Sequence, residues 1–356
     1  MRVGILTGGG DCPGLNAVIR AVARSLIQLD GTEVIGIEQG FLGLIERRVR
    51  PLDLDSVADI MATGGTILGT HNKANPFGYF GAGGADVSEA TCAYVRELGL
   101  DAIVVIGGDG SMAIAHQLAA KGIPVVGCPK TIDNDLAHTD RSFGFDTAVA
   151  IVTEALDRLQ TTGRSHGRVM ILETMGRYAG WIALHAGLAG GADIILIPEL
   201  PYRLEEVARV CREREAREHY TLIAIAEGAR PEGGQLTVKE RIEDSPEPIR
   251  LGGVGNVLRT QLEPLVGCEV RTTILGHVQR GGPPTPFDRV LATQYGHAAA
   301  QLVAHGNFNR VVVLRGTQIE SVPLADVAGR SRNVPLDHPL LRTAWDTGVS
   351  TGTSPL

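Results

Sequence analysis

The chain is poor in aromatic residues, which make up only 4% of its 356 positions. That leaves little stacking surface for single-stranded nucleic acid. A net charge of −7 argues equally against a general binder of nucleic-acid backbone. Any positive charge used on an anionic ligand must therefore be local. Lysine is scarce, with four residues against 29 arginines. The five cysteines (Cys12, Cys92, Cys128, Cys211 and Cys268) are odd in number and include no CxxC pair. In a chain of this size they read as reduced thiols of a cytoplasmic protein. Cys12 and Cys128 flank two loops of interest, but free cysteine tends toward simple burial. No long apolar run survives the glycines and charges that interrupt it, so neither a membrane span nor a signal peptide is expected. The first glycine-rich turn lacks both GxGxxG spacing and a Walker lysine.

What is present is an α/β pattern. The apolar fraction of 44% supports large cores, and the length suggests two domains. Short β-branched runs read as buried strands at Val3 to Thr7, Val34 to Ile37, Ala102 to Ile106 and Pro124 to Gly127. Leu15 to Leu29 has helical spacing, and a helix should run from the Gly107 loop to Lys121. The pattern restarts with strands at Val169 to Leu172, Ile194 to Ile197, Leu222 to Ala226 and Arg271 to Leu275, and with a helix near Gly180 to Leu188. Strand, glycine loop and helix in alternation predict parallel sheets covered on both faces. Residues 230–255 are polar and look like an exposed excursion, and Gly348 to Leu356 should fray.

In open parallel sheets, ligands sit outside the carboxyl ends of the strands. The loops at Gly8, Gly107, Pro129, Glu173, Glu227 and Gly276 all follow expected strands. Gly8 to Gly14 suits a phosphate nest before a helix N-terminus. Gly107-Gly108-Asp109-Gly110-Ser111 lets backbone approach phosphates, and Asp109 suits Mg²⁺ directly or through water. A tight turn with Asp109 as a cap is the structural alternative. In Lys130-Thr131-Ile132-Asp133-Asn134-Asp135, an extended backbone would point both carboxylates the same way. Asp133 suits a base for a sugar hydroxyl, Asp135 a supporting role, and Lys130 and Thr131 contacts to the transferred group. An Asx turn explains the carboxylates but not the lysine. Arg168, Arg177, Arg271 and Arg280 at strand ends would together suit a doubly charged phosphate.

The sequence resembles the bacterial-type 6-phosphofructokinases from residue 1 to about 315. The resemblance rests on Thr7 to Asn16, Gly107 to Ser111, Lys130 to Asp135, Met175-Gly176-Arg177 and Gly276 to Gly282, in that order. It implies two Rossmann-like, three-layer α/β domains with the active site in the cleft between them. Residues 1–144 with about 279–329 would hold the phosphoryl donor; 145–278 with 330–356 would hold the sugar phosphate. The implied reaction is Mg²⁺-dependent transfer of the ATP γ-phosphoryl group to the 1-hydroxyl of fructose 6-phosphate. Asp133 would be the base, with Thr131, Gly110 and Lys130 beside it. Gly10, Gly108, Asp109, Gly110, Ser111 and Lys73 would meet the donor, with Asp109 on the metal. Met175, Gly176, Arg177, Glu227, His277 and Arg280 would join Thr131 and Asp133 on the sugar phosphate. Arg168 and Arg271 would reach a neighbouring subunit's site, which implies a homo-oligomer, usually a tetramer and at least a dimer.

Two donor markers disagree. Lys130 stands where many ATP-using relatives have glycine and pyrophosphate users have lysine. Gly110 stands where pyrophosphate users often have aspartate. A carboxylate at position 110 would crowd and repel a nucleotide's α-phosphate, so Gly110 favours ATP, with pyrophosphate as the alternative. Ile114 replaces a glycine, and Asn72 replaces a phosphate-bridging arginine whose charge Lys73 would supply. The effector pocket keeps Arg20 and Arg24 but has Leu54, Gln160, Ala216 and Glu218 at other basic positions, which predicts weak anion regulation. A NAD-kinase or lipid-kinase plan would lack the Thr131 and Gly276 motifs. A silent sugar-phosphate-binding subunit would not be expected to keep Asp109 and Asp133.

Overall fold

A computed structural model describes residues 1–217, 219–241 and 249–353. The strands in chain order are β1 (Arg2–Thr7), β2 (Glu33–Ile37), β3 (Val49–Leu52), β4 (Ala102–Gly107), β5 (Val125–Pro129), β6 (Val169–Thr174), β7 (Ile194–Leu196), β8 (Thr221–Ala226), β9 (Val238–Arg241), β10 (Ile249–Leu251), β11 (Val270–Ile274), β12 (Arg310–Arg315) and β13 (Gln318–Pro323). The chain separates into two compact units, Met1–Thr147 with Arg280–Ser331, and Ala148–Gln279 with Arg332–Leu356.

The first unit carries a seven-stranded sheet in the order β13-β12-β5-β4-β1-β2-β3. Its five central strands run parallel, while β3 and β13 close the edges antiparallel. All six residues of β4 are buried, as helices on both faces require. On one face, Leu15–Asp30 lies against the helix Pro286–Ala304. A methyl at Gly296 would stand 2.7 Å from Ala21 Cβ and 2.8 Å from Val18 O, so glycine sets the close helix approach. The other face is a core of Leu6, Ile37, Phe41, Val105, Met112, Leu118 and Val313.

The second unit holds a parallel sheet in the order β11-β6-β8-β7. Its core includes Val169, Ile171, Leu196, Tyr202, Val207, Ile223, Leu258 and Val270. The 230–255 excursion contains the antiparallel β9-β10 hairpin, and its residues 242–248 lie outside the described residues. The expected fraying of the end does not occur up to residue 353. Ser350 bridges Ile194, Ile195 N donates to Ser350 O at 2.8 Å, and Thr351 is fully buried. Small polar residues serve there as strand-edge partners; residues 354–356 lie outside the described ones. Among the described residues no helix is long and apolar enough to cross a membrane.

Candidate active site

In the first unit, β1, β4 and β5 deliver three loops to one sheet edge. Gly8 N donates to Ile106 O at 2.9 Å, and Lys130 N to Gly107 O at 2.9 Å. The loops are thus sewn together by backbone. Gly9 has φ +77°, a conformation glycine reaches without steric cost. A Cβ on Gly10 would run into the Arg280 guanidinium, so the absence of a side chain lets Arg280 lie on the turn. Arg280 Nε has no hydrogen-bond partner among the described residues. Lys130 is 5% exposed, and its ammonium donates to Gly10 O. Burial holds the Lys130 pKa below the usual lysine value, with Arg280 adding to the effect while Cys12, Asp11 and Asp133 oppose it.

Asp109 sits in the first turn of the helix Asp109–Ala120, whose N-terminus faces the same loops. Gly108 is its N-cap. Ser111 is largely buried, and a methyl on Gly8 or Gly107 would collide with it. Ser111 thus acts as a wedge under the two turns. Gly110 is exposed, and a Cβ there would meet nothing within 4 Å. The fold does not require glycine at 110; the space in front of it is open.

The Thr131–Asp135 segment departs from the extended expectation. Asn134 has φ +53°, and Asp133 N donates to Thr131 Oγ1 at 3.1 Å. Asn134 is buried and accepts from Ser142 N at 3.0 Å, while Ser142 Oγ donates to Thr131 O at 2.7 Å. The segment is therefore a turn, and strand alternation does not orient its carboxylates. Asp133 and Asp135 nevertheless feel each other. Burial, then repulsion from Asp133 and Asp109, pushes the Asp135 carboxyl well above the usual carboxylate range. Asp109 and Asp133 thus both act on Asp135, and carboxylate oxygens of this kind are hard donors of the sort Mg²⁺ takes one or two of, completing its shell with phosphates and water. Among the described residues no three acidic, His or Cys side chains form a metal cage.

Two residues at this edge, Thr70 and Asn16, have anchoring roles that the sequence does not signal, although Asn16 closes the Thr7 to Asn16 motif. Thr70 Oγ1 donates to Gly9 O at 2.5 Å, and Asn16 Nδ2 donates to Thr63 O at 3.0 Å while its Oδ1 accepts from Ile67 N at 2.8 Å. Together they fasten the 63–70 loop to the cradle. The partners lie 47 to 61 positions away in the sequence, beyond any local pattern. Lys73 follows in that loop, its N donating to His71 Nδ1 at 3.1 Å. Cys12 is fully buried, and burial pushes its thiol up to about 12, which leaves it a packing residue. All five cysteines are free thiols.

In the second unit, β6, β8 and β11 lead into Met175, Gly176, Arg177, Glu227 and residues 276–279 of the following turn. Gly176 has φ +127°, and Gly228 N donates to Gly176 O at 3.2 Å. A side chain on Gly228 would collide with Arg177 O. Gln279 is fully buried; its Oε1 accepts from Met175 N at 3.3 Å and its Nε2 donates to Gly276 O at 3.0 Å. It holds the turn so that His277 remains exposed. Arg177 lies 4.8 Å from the Tyr178 ring centroid. Glu173, expected to open a loop, is instead a buried strand residue that accepts from Gly253 N and Gly255 N at 2.8 Å each.

The arginines do not gather within this unit. Arg168 precedes β6, whereas Arg177 follows it, so about 20 Å of strand separates the two ends. Arg271 pairs in register with Met170 near the same starting end, and both Arg168 and Arg271 make ion pairs with Glu269. Of the effector positions, Arg20 Nε donates to Ala58 O at 3.2 Å, and Glu218 lies outside the described residues.

The profile of the family described as "PFK: Phosphofructokinase" matches residues 2–303. ATP-dependent 6-phosphofructokinase 2 of Clostridium perfringens is 49% identical over 357 residues, covering 98% of each chain. The pyrophosphate–fructose 6-phosphate 1-phosphotransferase of Amycolatopsis methanolica is 50% identical over 335 residues, 94% of this chain and 96% of that one. Among solved structures, phosphofructokinase of Pichia pastoris in the T-state superposes with TM-score 0.80 at 31% identity over 92% of this chain, which spans 35% of the yeast chain. With the cradle, the acidic turn and the arginine turn each in place, the chain belongs to the phosphofructokinase family.

Proposed function

We infer that this protein is a 6-phosphofructokinase, a phosphotransferase that moves the γ-phosphoryl group of ATP to the 1-hydroxyl of fructose 6-phosphate. Relatives of both donor classes share about half their residues with it, so overall similarity does not choose the donor. The observation that carries ATP is the open space at Gly110, at the mouth of the helix Asp109–Ala120. Pyrophosphate is the second reading, and the buried Lys130 on the Gly10 carbonyl favours it.

In this assignment the first unit holds the donor and the second the sugar phosphate. Asp133 accepts the proton of the 1-hydroxyl as its oxygen attacks the phosphorus, and the diphosphate leaves in line. Lys130 fixes the Gly10 peptide, and Arg280 adds a cation beside it, so the cradle is set before the donor arrives. Asp109, with Asp135 behind it, would hold Mg²⁺, which supplies charge neutralisation on the phosphates when bound. Met175, Gly176, Arg177, Glu227 and His277 would hold the sugar phosphate. Arg168 and Arg271, at the far end of their sheet, would serve a second subunit's site, which makes the working form a homo-oligomer. The free thiols suit the cytoplasm. The changed effector positions suit weak regulation by nucleotide or phosphoenolpyruvate. The test compares ATP, ADP and pyrophosphate as donors with fructose 6-phosphate and Mg²⁺. ATP turnover well above the others supports the assignment; a wide margin for pyrophosphate reverses the donor.

A further inference from the structure

We propose that Glu269 is a counter-charge that competes with a sugar phosphate for Arg168 and Arg271, and so sets how tightly that phosphate is held. The inference rests on the assignment of these two arginines to a partner's sugar-phosphate site and adds what fixes their affinity. The observation is that one carboxylate serves both cations. Glu269 Oε2 pairs with Arg168 Nε, and Glu269 Oε1 pairs with Arg271 Nη2. Among the described residues Glu269 is the acidic partner of each.

The sheet register builds this arrangement. β6 and β11 run parallel with Val169 opposite Val270, and both valines are buried. One residue earlier on each strand stand Arg168 and Glu269, and Val169 N donates to Glu269 O at 3.0 Å. Glu269 and Arg271 flank Val270, so strand alternation turns both away from the face that Val270 buries. The carboxylate therefore reaches each arginine from a fixed backbone position, not from a loop. All three side chains keep part of their surface exposed, so an anion can approach them.

Each carboxylate oxygen engages one nitrogen of a guanidinium, which has further N–H donors to offer. Donors thus remain for a second anion, but the charge is already half neutralised. Two arginines and one carboxylate leave a net charge of +1. A phosphate monoester above its second ionisation carries close to −2, which two arginines alone would match. An arriving sugar phosphate must share the guanidinium groups with Glu269 or displace it. In either case it meets a like charge on the same pair, and the repulsion grows in proportion to the ligand's own charge. Glu269 acts through the arginines and touches no reacting atom, so its effect belongs in affinity and not in turnover.

The test uses full-length Glu269→Gln, which keeps the length of the side chain and one oxygen but removes its charge. Steady-state assays at about pH 8, where the phosphate is fully ionised, measure kcat and the KM for fructose 6-phosphate. Calorimetry measures binding of fructose 6-phosphate and of fructose 6-sulfate, a monoanion of the same shape. The expected result is a fructose 6-phosphate KM lower by on the order of tenfold, with kcat and Tm unchanged. Fructose 6-sulfate should bind only about threefold tighter, because a repulsion half as large is relieved. Added salt should narrow both gains. Arg271→Ala, measured by calorimetry in parallel, should bind fructose 6-phosphate more weakly. If it does while Glu269→Gln shows an unchanged or higher KM, the carboxylate only orients the arginines; the counter-charge is overturned and their assignment stands. Equal gains for phosphate and sulfate also overturn the counter-charge. Unchanged fructose 6-phosphate binding in Arg271→Ala overturns the assignment of the arginines, and the counter-charge with it.

Discussion

At the scale of single residues, chemistry and packing separate cleanly. Asp133 lies in a turn held by Asn134 and Ser142, so a change to its own side chain leaves the turn's internal bonds in place. Asp133→Ser should lower kcat by about three orders of magnitude or more, because base and orientation effects are lost together. Fructose 6-phosphate binding should stay measurable by calorimetry, and near-normal turnover would remove Asp133 from the role of base. Gly110 behaves differently. Since a Cβ there meets only open space, Gly110→Asp should fold with an unchanged Tm. Its carboxylate would repel a nucleotide's α-phosphate, so kcat/KM should fall on the order of a hundredfold with ATP and far less with pyrophosphate. Comparable losses with both donors would mean that position 110 does not discriminate. Motif spacing places both residues in strand-end loops from sequence alone. The direction of the Asp133 side chain is not legible in the same way, because Asn134 adopts φ +53° and breaks the alternation assumed for an extended loop.

At the scale of elements, the sequence exposed strands through short β-branched runs, but it hid what fastens one helix to another. The N-terminus of the helix Phe145–His166 is held by Asp288, whose Oδ2 accepts from Thr147 N at 2.8 Å and Thr147 Oγ1 at 2.6 Å. Thr285 caps the helix Pro286–Ala304, accepts from Asp288 N at 3.3 Å and donates to Asp146 at 2.7 Å. Each helix start thus caps the other across about 140 positions, a distance no local pattern spans. Asp288 is fully buried and its Oδ1 has no hydrogen-bond partner among the described residues. Burial, with repulsion from Asp146, pushes its carboxyl to about 6, against the Thr147 hydrogen bonds that lower it. A carboxyl raised by folding binds its proton more tightly in the folded state. Its stabilising contribution is therefore complete below pH 4 and is lost as pH rises through about 6. The upward shift from 3.8 corresponds to on the order of 3 kcal/mol. Asp288→Asn keeps an oxygen acceptor for Thr147 but cannot titrate. Relative to this variant, the wild-type Tm should fall between pH 4 and pH 7; a constant difference between the two would place the Asp288 pKa near its unfolded value.

At the scale of the whole molecule, the placement of charge argues for more than one chain. Arg168 and Arg271 share the starting end of the β6–β11 pair, while Arg177, Glu227 and His277 belong to loops at the other. A strand of six residues keeps the two sets about 20 Å apart, too far for one sugar phosphate. Glu269 meanwhile pairs with both arginines and holds them side by side. Arg271 is half-exposed and Arg168 part-buried, so their ion pairs with Glu269 are partly screened by solvent and contribute little stability. In the homo-oligomer proposed above, each chain would lend the pair to a partner and receive the partner's in return. Arg271→Ala and Asp133→Ser should then each be nearly inactive alone. After co-refolding in equal amounts, chains carrying only Arg271→Ala keep a good base and borrow Arg271 from partners carrying only Asp133→Ser. Random pairing should restore about a quarter of wild-type activity, since only one site of each hybrid pair is whole. Activity no greater than the sum of the two variants would place Arg271 in its own chain's site or outside any site.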